Sequence, residues 1–198
     1  MEKTRFHSAT QIVLDLKYTD RYFRVMKSET IRKSDRTRRY IIEKAAPVIN
    51  KKGVAGTSLA DLTAATGLSK GSIYGNFKNK DDLVMAVFEH NMNTLDRIFT
   101  AEMAKAHTPA GKLLVFPQIF GRLYKHMRAF GGCPILNTAT EADDTHPGLC
   151  GRVAEAISAL KGRIQTLIEA GIDSGEIRPD ADAAKIAGLL LSLFEGGG

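Results

Sequence analysis

The chain has 198 residues, 43% hydrophobic and 25% charged, a composition that excludes disordered and fibrous classes and leaves enough apolar matter for a real core. Its longest strongly apolar stretch, Ile186 to Phe194, is far short of the roughly 20 residues that span a bilayer. The net charge of +6 is uneven: residues 1–80 hold 17 Lys and Arg against 7 Asp and Glu, and residues 81–198 hold 11 against 15, so a basic N-terminal part suited to a polyanion precedes a mildly acidic remainder.

Apolar residues recur at helical spacing almost throughout, and neither alternating β-branched runs nor Asn-Gly hairpin turns occur, which predicts an all-α chain. From Arg36, the stripe Ile41, Ile42, Ala45, Ala46, Val48 and Ile49 runs to Lys51, Lys52 and Gly53, with Pro47 inside it expected to kink or loosen the helix. Thr57 and Ser58 offer an N-cap for a short helix carrying Leu59, Leu62 and Ala65, which Gly67 stops. Ser69 caps the next helix, expected to run to about Phe77, and a long amphipathic helix follows Asn79 to about Ala104. Pro109 opens a helix that Phe130-Gly131-Gly132-Cys133-Pro134 breaks, and a short helix reaches about Glu141. Pro147 suits the first turn of a long helix expected to end near Gly171, and Asp180 or Asp182 caps the last.

Two short helices joined by Thr66-Gly67-Leu68 have the form of a helix-turn-helix, whose second helix enters the DNA major groove. Leu62, Ala65, Leu68 and Ile73 would pack the pair, leaving Lys70, Ser72, Tyr74 and Asn76 as an outward, donor-rich face. A helical hairpin alone can imitate this pattern; the basic flank is what adds weight to DNA binding.

The run Gly56-Thr57-Ser58-Leu59, Gly67-Leu68-Ser69-Lys70-Gly71, Ile73-Tyr74-Gly75-Asn76-Phe77 and Lys78-Asn79-Lys80-Asp81-Asp82-Leu83 closely resembles the tetracycline-repressor (TetR-type) family of bacterial regulators. The resemblance spans about Arg36 to Phe88 and implies an N-terminal three-helix DNA-binding domain followed by a helical ligand-binding and dimerisation domain. It further implies a homodimer reading a palindromic double-stranded operator, usually repressing nearby genes until a small-molecule effector binds. Carried over by position, it assigns Thr57, Tyr74 and Lys80 to phosphates. Lys70, Gly71 and Ser72, behind the N-cap Ser69, would approach base edges, and Asn76 would add a further polar group. Gly71 has a physical reason as well, since a side chain there would hold the helix off the groove. The competing reading of Tyr74 is a half-buried packing aromatic; Phe77 and Leu83 read as core.

The expected domains are an N-terminal extension at 1–33, a DNA-binding domain at 34–80 and an effector and dimerisation domain at 81–198. The family motif usually starts near the N-terminus, so Met26 is read as a true start and residues 1–25 as an upstream extension without function, or else a basic arm reaching into a minor groove. Relatives continue the last helix beyond Phe194, so the end at Gly198 reads as truncated and its dimer as weakened.

In the second half nothing has catalytic spacing, and the chain reads as no enzyme. Glu141, Asp143, Asp144 and His146 could form an oxygen-rich metal site but are better read as residues complementing the helix that follows; no metal or cofactor is expected. His90 and His126 read as surface or satisfied core groups. Phe116, Phe120, Phe130 and Cys133 are the residues expected to line an effector pocket, among apolar side chains that are mostly core. Cys133, after two glycines at a helix start, offers a thiolate for electrophile or oxidant sensing, against the reading of an inert thiol. Two cysteines give no disulfide framework, and no signal-peptide pattern opens the sequence, so a cytoplasmic setting is expected. Beside the ligand-responsive repressor stands a DNA-binding protein with no effector, which a closed, filled second half would favour.

Overall fold

A computed structural model of the chain describes residues 33–130, 132–142 and 146–196, with side chains at all of these except 33, 120–130, 195 and 196. The chain divides into Met1–Arg36 and Thr37–Gly198. Of the first unit only the opening turn of one helix is described, so the extension and the basic-arm alternative lie outside the described residues.

Among the described residues there are eight helices and no strand. They are α1 (Lys33–Gly56), α2 (Leu59–Thr66), α3 (Lys70–Tyr74), α4 (Lys80–Met103), α5 (Pro109–Phe130), α6 (Pro134–Ala142), α7 (Pro147–Asp173) and α8 (Ala183–Gly196). None is long and apolar enough to cross a membrane.

The starts of α2, α4, α7 and α8 each have a chemical cause. Ser58 accepts from the Asp61 N–H while Asp61 accepts from the Ser58 N–H, a complete capping box for α2. Asn79 caps α4 through the Asp82 N–H at 2.8 Å. The Nδ1 of His146 accepts from Leu149 N–H in front of Pro147, and Asp182, not Asp180, accepts from Lys185 N–H at the head of α8.

Two features differ from the sequence reading, the position of the break in α1 and the end of α3. In α1 the non-helical dihedrals fall at Gly53 (φ 76°, ψ 172°) rather than at Pro47; the carbonyl that Pro47 leaves without a donor belongs to Glu43, which is exposed to solvent. Helix α3 ends at Tyr74, short of Phe77, because the chain tightens there through Asn76 N–H to Ile73 O at 3.0 Å. Helix α7 ends at Asp173, near Gly171 as expected, and Ile177 folds back to 2.7 Å from the position of a Gly171 Cβ.

Two apolar clusters hold the Thr37–Gly198 unit together. The first joins Ile41, Ala45 and Ile49 of α1, Leu62, Ile73 and Phe77 with Leu83, Val84, Val87 and Phe88 of α4, Ile135 of α6 and Leu149 and Val153 of α7. It crosses the expected 80/81 boundary, so the helix-turn-helix is built on the start of the second half. At about 1.5–3 kcal/mol per large apolar side chain buried, this shared core rather than helix propensity sets where α2 and α3 lie. The second cluster packs Phe99, Val115, Phe116, Ile119, Ile164, Ile168 and Ala187 further along α4, α5, α7 and α8.

Candidate nucleic-acid interface

Helices α2 and α3 meet across a turn specified atom by atom. Gly67 takes the left-handed conformation (φ 67°, ψ 13°) and donates its N–H to Thr63 O, a conformation that costs any residue with a Cβ. Thr66, buried, donates from Oγ1 to Leu62 O at 2.7 Å and accepts from Leu68 N–H at 3.2 Å. From α1, Tyr40 donates its hydroxyl to Thr66 O at 2.9 Å, pinning the turn to the first helix. Lys52 and Asp61 pair at 2.5 Å across the head of α2. The Lys52 ammonium beside Asp61, with the Ser58 N–H, holds that carboxyl well below the usual carboxylate range.

This frame leaves one side of α3 outward. Lys70 and Gly71 are exposed, Tyr74 is 38% exposed and Ser72 is half-buried. Ser69 is exposed and accepts from Ser72 N–H at 3.2 Å as the N-cap. No atom lies within 4 Å of where a Gly71 Cβ would stand; the fold itself therefore makes no demand for glycine there. Lys80 sits half-buried at the first position of α4. Phe77 and Leu83 are core, at 3% and 1% exposure.

Two residues of the expected surface have their side chains engaged within the fold. Thr57 is 1% exposed and donates Oγ1 to Gly53 O at 2.5 Å, so its side chain stabilises the end of α1 and has no face for a phosphate. Asn76 is half-buried and donates Nδ2 to Ser72 O at 2.8 Å, closing α3 from its C-terminal side.

Of the expected effector residues, the two whose side chains are described, Phe116 and Cys133, belong to different clusters. Phe116 is 1% exposed, tilted on Phe99 at 5.1 Å between centroids and stacked on Phe194 at 6.1 Å, in the second cluster. Cys133 packs half-buried against the first cluster. The side chains of Phe120 and Phe130 lie outside the described residues. Among the described residues a small cavity, about 20 Å³ and room for a single water, lies between α1, α4 and α6 beside Asn50, Asn137 and Glu141, and a larger, open cleft of about 340 Å³ lies beside Glu102, Lys105, Gly111, Val115 and Gln118. Of the acidic group before Pro147, Glu141 accepts from Val54 N–H at 2.6 Å and His146 caps α7; Asp143 and Asp144 lie outside the described residues.

Sequence reasoning missed Arg38 and gave Glu141 a different role, complementing the helix that follows it. Arg38 donates to the carbonyl of Asn76 and, at 3.2 Å, to Asp82. Glu141 with Asn137, which donates to Asn50 O at 2.9 Å, fastens α6 to the end of α1. Both link positions more than 35 apart in sequence, and no local spacing announces such pairs.

With this geometry, comparison with known proteins is direct. Residues 41–87 match the model of bacterial regulatory proteins of the tetR family, and residues 109–198 match the tetracyclin repressor-like C-terminal domain. The chain is 30% identical over 176 residues to the HTH-type transcriptional regulator TtgR of Pseudomonas putida, covering 86% of this chain and 82% of that one. A TetR-family transcriptional regulator from Cytophaga hutchinsonii superimposes with a TM-score of 0.80 at 46% identity, covering 85% of this chain and 84% of that one. One from Chloroflexus aurantiacus gives 0.79 at 38% identity, covering 84% of each. The chain belongs to the TetR family of transcriptional regulators.

Proposed function

We propose that this TetR-family regulator represses its target genes as a homodimer in the cytoplasm, reading a palindromic operator with α3 and releasing it when a small molecule binds the C-terminal helices. The observation that carries the reading is the outward face of α3, where Lys70, Ser72 and Tyr74 surround a Gly71 that the fold does not require. A bare backbone at Gly71 lets the helix approach the groove closely, and flanking donors suit base edges and phosphates. Lys80 and Tyr74 act on phosphates, Lys70 and Ser72 on bases. Symmetry would set two recognition helices about 34 Å apart, or a multiple of that spacing, along one face of the duplex. No residue is assigned a catalytic role.

A duplex selected by the protein from a randomised pool, compared with an unrelated duplex, tests this. Lys80→Ala should weaken binding to both and lower the salt slope by about 0.9 for each phosphate no longer neutralised. Ser72→Ala should alter preference at particular base pairs, by roughly 1–3 kcal/mol where its hydroxyl bonds a base edge directly. Equal weakening on both duplexes from the two substitutions would overturn the division of roles.

The filled packing of Phe99, Phe116 and Phe194 favours a second reading, DNA binding without an effector. Cys133→Ser addresses the separate thiol-sensing alternative: hydrogen peroxide that released DNA equally from the variant and the parent would remove Cys133 from any sensing role.

A further inference from the structure

Of the basic run Arg36, Arg38 and Arg39, Arg39 stays on the surface beside Glu43, at 4.0 Å, while Arg38 turns toward the end of α3. Its guanidinium meets a carbonyl, a carboxylate and an aromatic ring. Nη1 donates to the carbonyl of Asn76, Nη2 donates to Oδ1 of Asp82 at 3.2 Å, and Cζ lies 4.1 Å from the centroid of the Phe77 ring. These partners belong to successive pieces of chain. Asn76 closes α3, Phe77 is sunk in the first cluster at 3% exposure, and Asp82 stands in the first turn of α4. Asp82 in turn accepts from Lys78 N–H at 3.0 Å, and its own N–H goes to Asn79.

A five-residue helix cannot hold its own direction by internal hydrogen bonds. The N-terminal end of α3 is fixed by Ser69, Gly67 and the Tyr40–Thr66 bond; its C-terminal end is fixed by Arg38. Only a planar guanidinium can serve carbonyl, carboxylate and aromatic face at once, and an ammonium on a flexible stem does not. Base readout needs side chains held to well under an ångström or so, so a small swing of Asn76 would carry Ser72 and Lys70 out of register.

We propose that Arg38 is a positioning residue for operator recognition: it holds the Asn76 carbonyl and the Asp82 carboxylate over the Phe77 ring, sets the angle of α3 against α4, and leaves DNA binding to other side chains. The inference rests on the proposal that α3 meets the bases.

The test uses the full chain, a duplex selected from a randomised pool and an unrelated duplex of equal length. Dissociation constants are referred to the folded fraction and followed across salt. Arg38→Met should lose about tenfold or more in affinity for the selected duplex, as expected for broken charge-assisted hydrogen bonds, and much less for the unrelated one. The slope of log affinity against log salt should stay that of the parent. Arg38→Lys should lose nearly as much despite its charge, and Asp82→Asn should move affinity the same way. Arg38→Met combined with Asp82→Asn should cost less than the product of the two. A slope reduced by about 0.9 per phosphate would make Arg38 a phosphate ligand and overturn the proposal. Equal weakening on the two duplexes, or unchanged affinity, would overturn it as well. Should Arg38→Met not fold, parental affinity in Arg38→Lys has the same force. Failure of the α3 reading itself shows separately, as unchanged selected-duplex affinity in both Lys70→Ala and Ser72→Ala.

Discussion

The carboxylate of Glu141 occupies the space in which a side chain on Gly53 would begin: its Oε1 lies 1.9 Å from the ideal Cβ position, and its Oε2 accepts from the N–H of Val54 at 2.6 Å. Gly53 adopts φ 76°, so α1 breaks where only glycine is unstrained, and α6 supplies the acceptor for the donor that the break exposes.

Gly53→Ala therefore meets two penalties, about 1–3 kcal/mol of backbone strain and the displaced carboxylate. Urea unfolding should show a loss at the upper end of that strain range or beyond. Gly53→Ala combined with Glu141→Ala should lose less than the sum of the single variants, because the second change removes the obstruction felt by the first. Additive losses would show that strain alone excludes a side chain at Gly53.

Two carboxylates around the helix-turn-helix make its stability depend on acid. Lys52 and the Ser58 N–H lower the pKa of Asp61, and the Lys78 N–H and Arg38 lower that of Asp82. Both are depressed in the folded state, so their contribution is present above the unfolded value of about 3.9 and is lost as pH falls through it toward the folded values. Unfolding free energy should drop between about pH 5 and pH 3. Asp61→Asn and Asp82→Asn should each flatten that drop while leaving the behaviour between pH 6 and pH 8 unchanged. An identical acid limb in both variants would place the dependence elsewhere.

What was legible in the sequence was local. Caps, turn glycines and apolar spacing report chemistry within about four residues, which is why Ser58, Gly67, Ser69 and Asn79 could be read directly. The same locality explains the misplacements. Thr57 carries a hydroxyl next to an N-cap, and nothing nearby reveals that it donates to Gly53 inside the fold. Asn76 looks like a surface amide until α3 is seen to end two residues before it. Phe116 is spaced like any amphipathic-helix residue, and only the return of α8 with Phe194 shows its surface to be covered. Arg38 and Glu141 act across 38 to 87 positions, beyond any spacing rule.

Phe116→Ala should behave as a core truncation, costing about 3–5 kcal/mol by removing the ring that packs on Phe99 and Phe194. Phe116→Leu should recover most of that. Neither should change the affinity of the folded protein for its selected duplex, because the second cluster holds no residue of α1, α2 or α3. Calorimetry with anisotropy on the same samples checks both statements. A variant stable as the parent would mean that Phe116 lines space rather than filling it.

The proposed pairing of two chains has a specific place to fail. On α8, Leu189 and Leu193 are 57% and 68% exposed, one turn apart on a single face, beside Ala187 and Leu191, which are buried inward. Helix α7 runs against α8 and presents small and polar residues outward, Gly151, Ser158 and Gly162 among them. A second copy related by a two-fold axis would cover both leucines in each chain, so that each position counts twice. With about 1.5–3 kcal/mol for each leucine buried, Leu189→Lys with Leu193→Lys should raise the dimer dissociation constant by several orders of magnitude. Sedimentation across a concentration series should then show monomer where the parent sediments as dimer. Circular dichroism should be unchanged, since neither side chain packs in its own chain's core. Affinity for a palindromic duplex should fall far more than affinity for a single half-site, because only the former needs both chains at once. A variant that still sediments as the parent does would exclude this face of α8 from the interface.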